Sequence, residues 1–113
     1  MPWSVDARIP VSFLAEAVSV PDTALLLEGD SPAPDGAVVA RFAPGRGQHR
    51  VDCACCVARG AVADALGRLF LARAKGEVSF FRAVVVVCGA AGRAEVLAAL
   101  AADPVASARF RLA

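Results

Sequence analysis

Apolar positions in this chain fall into short blocks separated by turn-forming residues, and the spacing inside each block predicts an element. Arg8 to Leu14 (Arg-Ile-Pro-Val-Ser-Phe-Leu) is a short β-leaning run. Pro10 suits a strand beginning or an edge, because proline has no ladder donor. Pro21-Asp22 then punctuates the chain, and Thr23 to Glu28 is expected to be a short helix, with proline just before its first turn. Gly29 to Gly36 is dense in turn formers and reads as a loop. Ala37 to Phe42 is a second strand candidate, followed by a break from Ala43 to Gln48 that contains Pro44, Gly45 and Gly47.

From Ala61 to Ala74 the period becomes helical: Val62, Leu66 and Leu69 share a stripe that Ala65 and Phe70 widen. Arg68, Arg73 and Lys75 load its C-terminal half, where cations complement the helix dipole, and Gly76 is the expected stop. Phe80 to Cys88 carries four consecutive valines, a pattern for a strand buried on both faces in a parallel sheet. Phe70, Phe80 and Phe81 are assigned to the core. Arg93 to Ala102 reads as an Ala-rich helix closed by Asp103-Pro104, with a further helical turn through Val105 to Phe110. Strands alternating with helices predict an α/β fold, a short and mainly parallel sheet flanked by helices, in one domain spanning residues 1–113.

Composition narrows the function classes. With 58% hydrophobic residues and a net charge of +1, the chain can build a core. It lacks the charge for broad binding to nucleic acid or anionic membrane. Its longest apolar runs, Val96 to Ala102 and Ala83 to Cys88, fall well short of the ~20 residues a membrane helix needs. The N-terminus has no basic region followed by an apolar one, so a cytoplasmic location is expected. One histidine leaves little material for a hydrolytic triad.

Cysteine carries the chemistry. Cys53, Cys55 and Cys56 fall within four residues, and a fourth, Cys88, closes the valine run. Neighbouring Cα atoms lie about 3.8 Å apart, less than the roughly 4.4–6.8 Å of an ordinary disulfide. The cluster therefore suits thiolates offered to a soft metal better than a disulfide framework. Arg59 and the start of the following helix would lower the thiol pKa values. Three thiolates nearly complete a tetrahedral zinc shell. His49, Cys88, a water or a second molecule could supply the fourth ligand. Each residue also has a plainer reading, Cys88 as a small buried apolar side chain and His49 as a solvated loop residue.

The segment Cys53-Ala54-Cys55-Cys56-Val57-Ala58-Arg59-Gly60 and its helix resemble the CxCC region of CobW-type P-loop GTPases. Ile9-Pro10-Val11 resembles that family's opening strand, and Ala102 to Leu112 the stretch after its switch helix. The resemblance implies a truncated, three-layer P-loop-NTPase-like domain, related to cobalamin synthesis and to zinc or cobalt homeostasis. It also implies loss of the GTPase machinery. Aligned without gaps from Ile9, the phosphate loop carries Glu16, Ser19 and Pro21 where glycines belong. Asp22 replaces the lysine, and Thr23-Ala24 the threonine pair. Acids and a proline repel or fail to bind the phosphate that glycine N–H groups and lysine would hold. Val86-Val87-Cys88-Gly89 lacks the acidic residue of the second motif, and the chain has no asparagine for guanine recognition. The expected protein is a catalytically silent CobW-like domain holding zinc or cobalt through Cys53, Cys55 and Cys56, with His49 or Cys88 assisting. GTP is not an expected cofactor. The alternatives are a non-catalytic interaction module, as a homodimer or with a partner protein, and a residual GTP-binding protein.

Overall fold

The computed structural model describes residues 6–43 and 60–113. Five strands are present among them: β1 (Ile9–Phe13), β2 (Thr23–Glu28), β3 (Val38–Phe42), β4 (Ala83–Val87) and β5 (Phe110–Leu112). The described helices are α1 (Ala61–Lys75), α2 (Ala90–Ala102) and α3 (Pro104–Arg109). The sheet runs β3-β2-β4-β1-β5, and every ladder is parallel. The α/β class read from the alternation of strands and helices is therefore the class of the fold.

Side chains alternate across the sheet as strand geometry requires. Val11, Ala24, Leu26, Ala40, Phe42, Val84 and Val86 face one side and pack with Val62, Leu66 and Leu69 of α1, Val96 of α2 and Ala106 of α3. Leu25, Leu27 and Val85 face the other side, against Ala17, Ala33, Ala37, Val39 and Val87. Among the described residues, all helical packing is on the first face. The second is sheltered by two connecting stretches, 14–22 and 29–37. Pro10 is accommodated because the β1–β4 ladder starts only at Val11↔Val84. α1 ends as its sequence foretells: Gly76 takes the left-handed conformation at φ 72°, and its N–H reaches the Ala72 and Arg73 carbonyls.

Three expectations are corrected. Thr23 to Glu28 is a strand, not a helix. Its run Ala24-Leu25-Leu26-Leu27 is too short to express either period. Placed between β3 and β4, it buries all four side chains, which no single-faced surface helix could do. The helical turn expected through Val105 to Phe110 ends at Arg109, and residues 110–112 form β5 beside β1. Phe80 is not core: it precedes β4, stands 58% exposed, and is capped by the Arg73 guanidinium at 4.2 Å. Phe81, one residue on, is fully buried.

Candidate functional site at the carboxyl edge of the sheet

In a parallel α/β sheet, ligands gather where neighbouring strands send their connections in opposite directions. Here the condition is met on both sides of β4, against β2 and against β1, and the crevice lies on the β1 side. The chain leaves β1 toward β2 on one side, whereas β4 continues through α2 and α3 to β5 on the other. A crevice of about 270 Å³ opens there, lined by Phe13, Leu14, Ala15, Val86, Cys88 and Arg93. The Arg93 guanidinium lies 4.2 Å from the centre of the Phe13 ring, a cation–π contact that holds it against β1.

Cys88 and Glu28 meet beside this crevice on the helix-covered side. A Glu28 carboxylate oxygen accepts the Gly89 N–H at 2.8 Å, satisfying one of the donors at the start of α2. Gly92 makes the close approach possible. A Cβ there would lie 2.6 Å from that oxygen, 2.9 Å from the Cys88 Cβ and 3.2 Å from the Phe42 ring. Burial pushes the Cys88 thiol pKa up, the Glu28 charge pushes it further, and Arg93 opposes both. Among the described residues Cys88 has no disulfide partner and is thus a half-buried neutral thiol.

His49, Cys53, Cys55 and Cys56 lie outside the described residues. Their flanks are informative. Phe42 ends β3 at the carboxyl edge, and α1, which returns the chain to the amino end of β4, begins at that same edge. Ala43 and Gly60 therefore both border the edge that carries Glu28 and Cys88. Among the described residues, no three His, Cys, Asp or Glu side chains are grouped to hold a metal.

The gap-free phosphate-loop register does not survive. No helix follows β1: residues 14–22 run across to the amino edge, and Thr23 opens β2 opposite Ala83, the first residue of β4. The Thr23 hydroxyl donates to the Pro21 carbonyl at 3.0 Å. It stands one strand length, about 17 Å, from the carboxyl edge, too far to assist magnesium at the crevice. Glu28 and Gly92 escaped the sequence reading. An acid closing a buried apolar block was the available signal, and it became meaningful only once that block was a strand.

Comparison with protein-family models, with curated proteins and with solved structures returns no match. The class established by the coordinates is a parallel α/β domain with a crevice at a topological switch point.

Proposed function

We propose that this chain is a catalytically silent, CobW-like metal-binding domain that holds zinc or cobalt as cargo through the thiolates of Cys53, Cys55 and Cys56. His49 and Cys88 are the candidate fourth ligands, and a reducing, cytoplasmic setting would keep the thiols available. The Cys53-x-Cys55-Cys56 spacing carries the reading, since three soft donors in four residues match the preference of zinc and cobalt(II) for sulfur. Two structural observations support it. The cysteine segment is bounded by residues at the carboxyl edge, and Cys88 sits on that same edge. A bound metal would supply charge that favours the Cys88 thiolate over the neutral thiol, and Glu28 would offset that charge nearby.

Nucleotide hydrolysis is disfavoured by the same geometry. The stretch after β1 has neither a helix N-terminus nor a lysine to receive phosphate. Competition of the reduced protein with a chromophoric zinc chelator tests the proposal. Sub-micromolar affinity is expected, with a loss of at least about tenfold, or 1.4 kcal/mol, on Cys55→Ser. Failure to compete, or a Cys55→Ser protein that competes like the wild type, refutes it.

A further inference from the structure

The surface carries a second feature, unrelated to the thiols. At the amino edge of the sheet, Val18, Val20, Gly36, Ala37 and Phe80 border a recess of about 110 Å³ floored by Leu25. Three of these are large apolar side chains left in water: Val18 is 45%, Val20 38% and Phe80 58% exposed. Parallel sheets normally have both faces covered by helices, yet the described helices cover only one. Charge is as one-sided as packing. Around the recess the acids are Glu16, Asp22 and Asp35, whereas Arg41, on the same face at the other end of the sheet, is engaged with the Gly29 and Ser31 carbonyls. Asp22 and Asp35 adjoin the recess in sequence, and with Glu16 they are exposed and form no ion pair among the described residues. Arg82 is the nearby counter-charge, joined to Asp22 by a backbone hydrogen bond, while Arg73 is already engaged with the Phe81 carbonyl.

A complementary surface exists on the same chain. Arg68, Leu71 and Lys75 follow one another at i, i+3 and i+7 along the outer side of α1, so they form one stripe. All three are exposed, Leu71 to 48%. Arg68 also lies 3.4 Å from Asp64 one turn back, an exposed pair that a stronger partner can replace, so Lys75 supplies most of the stripe's net positive charge. α1 packs on the opposite side of the sheet from Leu25, so a copy cannot fill its own recess. The geometry points to head-to-tail self-association, in which Leu71 of one copy enters the recess of the next and Arg68 and Lys75 meet Asp22 and Asp35. Such an interface is heterologous: each copy uses two different patches, and assembly grows into chains or rings. It stands independently of metal binding.

Sedimentation or light scattering of the whole protein, stripped of metal with a chelator, tests this. The mass is expected to rise with protein concentration and to fall as salt screens the charged pairs. Val18→Glu, which blocks the recess, and Leu71→Glu, which blocks the stripe, should each weaken association about tenfold or more. A mixture of the two should recover binding but stop at a heterodimer, because only one productive interface remains. A wild type that stays monomeric at submillimolar concentration overturns the inference. So does a Leu71→Glu protein that associates normally, as an isologous recess-to-recess dimer would, or a mixture that fails to pair. If circular dichroism shows either variant unfolded, Val20→Glu in the recess and Lys75→Glu on the stripe take their places with the same required outcomes, since the reverse pairing then sets acid against acid.

Discussion

Gly92→Ala is the most informative single substitution, because two effects of opposite sign act on it and the structure decides between them. Gly92 lies within α2, where alanine is favoured over glycine by about 1 kcal/mol. The added methyl, however, would sit 2.6 Å from a Glu28 oxygen, 2.9 Å from the Cys88 Cβ and 3.2 Å from the Phe42 ring. The carboxylate can rotate, but only by abandoning the Gly89 N–H. The Cys88 Cβ cannot move without its backbone. Overpacking of this kind costs about 1–3 kcal/mol, and displacing a hydrogen bond to a charged group costs about 1.5–3 kcal/mol more. Repulsion outweighs propensity, leaving a net loss of about 1.5–5 kcal/mol. Chemical denaturation checks the figure. A double-mutant cycle checks the cause: in a Glu28→Ala background the carboxylate contact and its hydrogen bond are absent, so Gly92→Ala should cost about 1.5–3 kcal/mol less. A neutral or stabilising Gly92→Ala, or a cost identical in both backgrounds, would refute the packing described around Glu28.

Other outcomes follow from the same coordinates. Leu26→Ala, at a fully buried position in β2, should lose about 2–5 kcal/mol by denaturant titration; a solvent-exposed helix there would lose far less. Hydrogen bonds from Arg8 hold the Asp6 carboxyl down at about 2, below its ordinary 3.8. A depressed acid contributes stability that is present above its unfolded pKa and fades as pH falls through the folded one. Asp6→Asn should therefore be less stable than wild type at neutral pH, and the gap should close between about pH 4 and pH 2 in acid titrations. GTP with magnesium should leave the melting temperature unchanged; a saturable increase would contradict the reading of residues 14–22.

Legibility of the fold varied with how much pattern each block could display. α1 spans four turns and stops at a glycine, so both its period and its end were visible in the chain. β4 was legible because four valines in a row leave no polar face. β2 was not, because a four-residue apolar run fits a helix turn or a central strand equally well, and only its neighbours β3 and β4 decide. β5 escaped for a related reason: three residues that follow a helix without a break carry no period of their own. One-sided helical cover could not be foreseen, since amphipathic spacing reveals that a helix has an apolar face but not which side of the sheet receives it. At the site, Cys88 was found because it ends an obvious strand. Glu28 was hidden by the misassignment of its own segment, and Gly92 by a helix read as starting only at Arg93, whereas its role is set by a packing distance inside α2.

The central claim is a thiolate metal site. Elemental analysis of protein purified without oxygen tests it most directly, wild type beside a Cys53→Ser/Cys55→Ser/Cys56→Ser variant. One zinc or cobalt per chain in the wild type, reduced to background in the triple variant, is the expected result. A wild type free of metal after reduced purification and zinc repletion, or a triple variant that keeps its metal, would contradict it.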